Sequence, residues 1–285
     1  MASKIVLLDR TTVPGEPFIR KVMKIRTFVI GYVLALALFL FAQHHTTNAV
    51  EPAGFHAVVD LTHTLNAQTP TYELSTKPVY QAKTVATIDK DKYFARTICL
   101  PEHFGTHFDA PAHFAHGLWT VDQVPPERLV APMAVLDVRA NVKNDPDYLI
   151  SMEDIAKWEQ AHGQIPLNSV VMAHTGWDAR WNSVKDYRNA DAKGVMHFPG
   201  YSQDAAKFLV EARNVLGLGI DTLSIDYGPS KDFEVHQYTL AHSVYHLENV
   251  ANLDRVPANG AVVVVAPMKL EGGSGSPVRI LALVR

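Results

Sequence analysis

Residues His103-Phe-Gly-Thr-His107-Phe-Asp109-Ala-Pro-Ala-His113-Phe114 crowd three histidines, an aspartate, a glycine and a proline into one short run. Imidazole and carboxylate bind divalent metals and move protons. Burying such groups costs free energy, so a chain that gathers them must pair them with one another or with an ion. His103, His107, Asp109 and His113 all fall on odd positions, so an extended backbone turns them to one face. His107 and Asp109 would then lie roughly 6–7 Å apart at Cα, close enough to share an ion, while a straight strand would leave His103 about 13 Å from His107. Gly105 supplies a place to bend. Pro111 fixes its own φ and pushes Ala110 out of the helical region, so a rigid loop or strand end is expected between Asp109 and His113. The plain alternative is a histidine-rich core segment with ordinary hydrogen bonds. Four donors in register beside a Gly and a Pro favour metal or acid–base chemistry.

The 285-residue chain is 47% hydrophobic, enough for one globular domain with an ample core. Its N-terminus reads differently. Arg20, Lys21, Lys24 and Arg26 precede a 16-residue apolar run, Thr27 to Ala42, and a small-residue exit ending Thr47-Asn48-Ala49. This is the pattern of a secretory signal peptide, with Met23 as an alternative start. A run this short favours cleavage over an N-terminal membrane anchor. The expected organisation is a signal peptide with an n-region extension over 1–49 and one domain over 50–285. The product would be periplasmic or secreted, with no stable membrane partner after cleavage. Residues 1–49 carry a net charge of +4 within the chain's −3, which leaves −7 on 50–285 and argues against nucleic acid as a partner. The single cysteine excludes an intrachain disulfide. Cys99, in the apolar stretch Thr97–Leu100, reads as a buried structural residue.

The remaining pattern is mixed α/β without internal repeats. Short strands are expected at 57–61, 134–138, 170–173, 215–220 and 261–266. Helices are expected over Ser151–His162 and Ser202–Arg213, each opened by a serine cap, with Asp154 at the third helical position of the first. Strands and helices do not alternate cleanly, so a doubly wound sheet is not expected.

A second cluster runs from His236 to Glu248 and includes His242 and His246. One unbroken helix would separate His236 and Glu248 by about 18 Å along its axis, too far for one ion. A short helix near 237–242, then a reversal and an extended 244–247, would bring them together. His242 and His246 are instead spaced for a helical pair. No Glu follows His242, so the zincin pattern is absent. Spacing alone leaves these options open, together with a surface helix that merely carries histidines.

The first run resembles the His-x-Gly-Thr-His-x-Asp-x-Pro-x-His signature of the cyclase-like metal-dependent hydrolases, the family of bacterial kynurenine formamidase and isatin hydrolase. The likeness extends from about Val59 to the C-terminus. It takes in Asp60–His63, Thr69–Tyr72, Thr175-Gly-Trp177, Phe198-Pro-Gly200, Gly219–Asp226 and Pro267–Arg279. It implies an α/β fold: a mixed-sheet, swivelling β/β/α-type single domain. It also implies that His103, His107 and Asp109 hold one ion and that His236 and Glu248, twelve residues apart, hold a second, with Asp109 bridging. Zn2+ or Mn2+ is implied, as one ion or two. His113 would be a proton shuttle or an added ligand. Ser224 would guide water or substrate, with a structural turn hydroxyl as the alternative. A glycine often breaks the helix between His and Glu in this family, and Ser243 stands there in this chain. The resemblance further implies a homo-oligomer.

The chemistry that follows is hydrolysis of an amide, a cyclic amide (lactam) or a related small carbonyl substrate, with His113 moving the proton. Alternatives are an arylformamidase of the N-formylkynurenine type and an exported metal-dependent binding protein without catalysis. Trp119, Trp177 and Trp181 are core or pocket residues, with core packing favoured. Gly272–Ser276 lacks Walker spacing and reads as a tight turn near the pocket. His63, His116, His174 and His197 read as structural or rim residues.

Overall fold

The computed structural model describes residues 54–73 and 79–285. The signal-peptide expectation for 1–49 lies outside the described residues. In chain order the strands are β1 (Ala57–Asp60), β2 (Gln81–Ala86), β3 (Ala95–Cys99), β4 (His107–Asp109), β5 (Val130–Asp137), β6 (Leu149–Ile150), β7 (Val170–His174), β8 (Gly200–Tyr201), β9 (Gly217–Ile220), β10 (Tyr245–Glu248), β11 (Ala261–Pro267) and β12 (Gly275–Val284). Three longer helices are α1 (Met152–His162), α2 (Gln203–Arg213) and α3 (Glu234–Ala241).

Eight strands form one sheet in the order β1-β12-β11-β5-β7-β9-β10-β4, and β4 pairs back onto β12. The sheet therefore closes like a barrel within a mixed α/β domain. Closure is possible because β12 is long enough to serve several neighbours. Gly275–Pro277 meets β4, Val278–Leu283 meets β11, and Leu281–Val284 meets β1. β5, β7, β9 and β10 run parallel to one another, and the other pairings of this sheet are antiparallel.

Alternation along the strands divides the core in two. Met133 and Val135, Val170 and Met172, Val263 and Val265, and Ile280 and Ala282 fill one cluster inside the closed sheet. Their neighbours Ala134, Leu136, Val171 and Ala173 face the other way, beneath Ile155 and Trp158 of α1 and Ala205, Ala206 and Leu209 of α2. β9 turns Gly217 and Gly219 inward. A Cβ on the first would overlap the Tyr245 ring, and one on the second the Met172 sulfur.

The two capped helices form as the sequence predicts. Ser151 Oγ accepts from Asp154 N at 3.3 Å and the Asp154 carboxylate accepts from Ser151 N at 2.8 Å, a reciprocal capping box. Ser202 Oγ accepts from Ala205 N at 3.2 Å. Each such cap is worth about 1 kcal/mol. The expectation for Cys99 is overturned: its side chain is exposed. β2 and β3 pair only with each other among the described residues, so the apolar stretch around Cys99 never enters the core and Ile98 beside it is exposed too.

Candidate metal centre and active site

The site is built by the pairing of β4 with β10. Phe108 and Leu247 point into the closed sheet, so their neighbours point to its outer face. In antiparallel register His246 stands opposite Asp109, and Glu248 stands opposite His107. Two His-x-carboxylate pairs, one per strand, thus form a square of four buried ionisable groups. α3 lays His236 across it.

The reversal that this requires occurs. α3 ends at Ala241, and Ser243 takes a left-handed φ of +60° before β10 begins. Ser243 N donates to Leu240 O and Val244 N donates to Thr239 O, while Arg128 Nη2 donates to Ser243 O at 2.8 Å. His236 Nε2 consequently lies 3.3 Å from Glu248 Oε1 and 3.5 Å from Asp109 Oδ2. The helical pair of His242 and His246 does not form: His242 ends the helix and is exposed, whereas His246 is fully buried on β10.

Gly105 makes the other bend, with a φ of +63° and the Leu65 side chain packed where a Cβ would lie. His103 is folded back so that its Nδ1 lies 2.6 Å from Asp109 Oδ1, and His107 Nε2 lies 3.2 Å from the same oxygen. His107 Nε2 is also 3.4 Å from Glu248 Oε2. The Gly272–Ser276 turn packs on this histidine. Ser274 Oγ donates to Glu102 at 2.8 Å, which leaves it to accept from His103 Nε2 at 2.9 Å. His113 closes the 3-10 turn Pro111–His113, and its ring stacks on His103 with centroids 4.0 Å apart.

Each central imidazole is anchored from behind. His107 Nδ1 donates to Gly105 O at 2.8 Å, and His236 Nδ1 donates to Asp226 Oδ2 at 2.6 Å. Both rings therefore present Nε2 to the carboxylates, as metal-binding histidines do. Asp226 also accepts from the backbone N of Val235 and of His236, so one carboxylate caps α3 and aims its histidine. Ser224 Oγ accepts from Asp226 N at 3.3 Å and Ser224 lines the cavity.

Electrostatics follow from this crowding. Burial alone would lower the His107 pKa, but the Asp109 charge and hydrogen bond, with Glu248, raise it to about 9. Burial would likewise lower His236, and the carboxylates of Asp109, Asp226 and Glu248 hold it well above the usual range. Burial would raise Asp109, yet His107, His103 and His236 keep it well below the usual carboxylate range. His113 and His246 are each lowered to about 4 by burial, and so are neutral at pH 7.

A divalent ion fits these residues. Asp109 Oδ2 is buried with no hydrogen-bond partner, which is costly for a carboxylate oxygen unless a cation meets it. Ligand atoms of Asp109, His236, His246 and Glu248 all lie within 4.8 Å of one another, as do those of His103, Asp109 and His113. From the sequence, His246 is read only as half of a helical pair with His242, and Asp226 only as the end of the Gly219–Asp226 stretch. The signal for His246 is its parity with Glu248, which repeats the His107-x-Asp109 spacing. Nothing local marks Asp226 as the anchor of His236.

These groups floor a cavity of about 790 Å³ walled by Pro70, Tyr72, Val79, Leu100, Phe114, Leu223 and Phe233, with Cys99 at its edge. The aromatic walls are not the tryptophans: Trp177 and Trp181 are buried in the core, and Trp119 packs against it. Trp181 stacks on His63 with centroids 3.9 Å apart. Thr175–Trp177 and Asp221 meet each other instead of the centre. The Asp221 carboxylate accepts from the backbone N of Thr175, Gly176 and Trp177, and burial raises its pKa to about 7.

The family model described as Putative cyclase matches residues 59–227. An isatin hydrolase from Roseibium aggregatum is 35% identical over 247 residues, 81% of this chain and 93% of that protein. A kynurenine formamidase from Bacillus cereus is 28% identical over 177 residues, 62% of this chain and 74% of that protein. Among solved structures, isatin hydrolase A from Labrenzia aggregata bound to benzyl benzoate superposes with a TM-score of 0.75 at 35% identity, covering 80% of this chain and 93% of that one. A potential metal-dependent hydrolase with cyclase activity superposes with a TM-score of 0.61 at 26% identity, covering 80% and 98%. With more than half of the chain matched by the family model and nearly the whole of a 35% identical relative covered, this chain belongs to the Putative cyclase family of metal-dependent hydrolases.

Proposed function

We propose that this protein hydrolyses the C–N bond of a cyclic amide or related small carbonyl substrate at a divalent metal centre. The observation that carries the reading is the convergence of His103, His107, Asp109, His236 and Glu248 beneath an apolar cavity, with Asp109 Oδ2 left to a cation. Isatin hydrolase relatives at 35% identity support a cyclic amide ahead of the N-formyl amide suggested by kynurenine formamidases at 28%. An inactive binding protein is disfavoured because every candidate group is present and aimed at one point.

His103, His107 and Asp109 would hold one ion, and His236 and Glu248 a second, with Asp109 between them and Zn2+ or Mn2+ as the native metal. Such an ion acidifies water and polarises a carbonyl oxygen at neutral pH. The chain's own residues do the rest. Tyr72, Phe114 and Phe233 hold the apolar part of the substrate and exclude bulk water. His113 is neutral, and neither ring nitrogen has a protein hydrogen-bond partner among the described residues, so it can take a proton at one and return it to the departing nitrogen. The Ser224 hydroxyl, at the cavity wall, orients water or the substrate carbonyl. Export follows from the pattern of residues 1–49. Homo-oligomerisation and the swivelling relation of the β and α layers are part of the same proposal.

The deciding experiment strips the protein with a chelator, measures bound metal by elemental analysis, and restores ions one at a time. Activity is followed on cyclic amides, N-formyl arylamines and small esters. Lactam hydrolysis restored by Zn2+ or Mn2+ is expected. A protein that binds no divalent ion, or binds it without hydrolysing any member of the panel, overturns the proposal.

A further inference from the structure

We propose that His246 is itself a ligand, through Nδ1, of a divalent ion held between it and Asp109 Oδ2. The inference rests on the reading of the site as a metal centre and adds a residue to it. The hydrogen bonds of α3 fix the state of the ring. Thr239 Oγ1 lies 2.6 Å from Val235 O and 2.6 Å from His246 Nε2. A carbonyl only accepts, so the one hydroxyl proton goes to Val235. Nε2 must therefore carry its own proton and donate it to Thr239 Oγ1. In the neutral ring that leaves a lone pair on Nδ1.

That lone pair has no partner. Nδ1 of His246 and Oδ2 of Asp109 are both buried without a hydrogen bond, and they face each other across 3.5 Å. Two buried acceptors opposed in this way repel, and each has given up its water. A proton on Nδ1 would relieve the clash only by making a wholly buried imidazolium, and the separation exceeds the roughly 2.7–2.9 Å of a charge-assisted bond. A cation satisfies both atoms. His236 Nε2 and Glu248 Oε1 complete the surroundings, so the ion sees two imidazoles and two carboxylates. This donor set suits Zn2+ and its transition-metal neighbours over Mg2+ or Ca2+. Thr239 is then a positioning residue that sets the tautomer of a ligand.

The test uses the full chain, stripped of metal and titrated with Zn2+ against a chromophoric chelator. Long-range 1H–15N spectra of 15N-histidine-labelled protein are recorded alongside. His246→Leu keeps the volume and loses the nitrogen. It is expected to weaken Zn2+ binding at this position at least as much as Thr239→Val, for which a 10- to 100-fold loss is expected. In the wild type, Nε2 of His246 keeps its proton throughout, and Zn2+ shifts Nδ1. Wild-type Zn2+ binding with an unmoved Nδ1 resonance overturns the assignment, even if His246→Leu proves unfoldable. So does a folded His246→Leu variant whose Zn2+ affinity is unchanged. A wild type that binds no divalent ion overturns the metal reading itself, which separates the two failures.

Discussion

A carboxylate as deeply buried as Asp109 must be neutralised by its surroundings, and four imidazoles lie beside it, those of His103, His107, His236 and His246. Asp109→Asn removes the charge from the oxygen that has no hydrogen-bond partner and is expected to abolish stoichiometric metal binding; unchanged metal content by elemental analysis would rule out an essential ligand. His113 stands apart from that square, stacked on His103 and open to the cavity. His113→Ala should lower kcat by about 10²–10⁴-fold if the residue moves a proton. Metal content unchanged in the same variant identifies a shuttle, and lost metal identifies a ligand. The metal-free protein should also respond to alkali. The folded pKa of His107 is raised to about 9, above an unfolded value of about 6.5. Its stabilising contribution is therefore fully present below pH 6.5 and is lost as pH rises through 9. Chelator-treated protein should unfold at lower denaturant at pH 9.5 than at pH 6.5. Divalent affinity should climb across the same window, because the ion competes with protons on His107 and His236. Equal or greater metal-free stability at pH 9.5 would contradict the charge arrangement described.

At the scale of elements, the turn after α3 decides whether two metal-binding strings become one site. Ser243 adopts a conformation that costs an L-residue roughly 1–2 kcal/mol and glycine little. Ser243→Gly should accordingly stabilise the protein by about 0.5–1 kcal/mol, read as a shift in denaturation midpoint with unchanged activity. A destabilised Ser243→Gly would mean that the hydroxyl has a role the backbone does not show. The element pattern explains why parts of the fold were legible. Helices α1 and α2 announce themselves by serine caps and apolar spacing, and five main strands by short apolar runs. β4 and β10 do not. They alternate apolar and polar residues as half-buried strands do, but over only three and four residues, too short a run to stand out from a loop.

For the whole molecule, the β2–β3 ribbon is the conspicuous unfinished surface. Val85, Ile88, Tyr93, Phe94 and Ile98 are all exposed on it, and an isolated two-stranded ribbon is marginally stable in water. The proposed homo-oligomer gives this ribbon a second copy of the chain to pack against, close to the cavity edge where Gln81 and Cys99 lie. Phe94→Asp should shift the particle mass measured by light scattering toward the monomer and raise the KM for an apolar substrate. A wild type that is monomeric at micromolar concentration would remove this role. Cys99 is exposed for the same reason: among the described residues the ribbon that carries it pairs only within itself and stays outside the core.

The sequence by itself determined which groups the protein could use and their local order: the His–Asp run, the bends available at Gly105 and Pro111, the helix caps, and a chain suited to a mixed α/β core. Only the tertiary structure decided which histidines converge. Glu248 meets His107, and His246 meets Asp109, because two strands about 140 residues apart pair in one antiparallel register. A single-residue slip would turn both His246 and Glu248 into the closed sheet. Register is fixed by what packs on each face, Phe108 and Leu247 inside and α3 outside. Packing between distant segments leaves no local mark in a sequence.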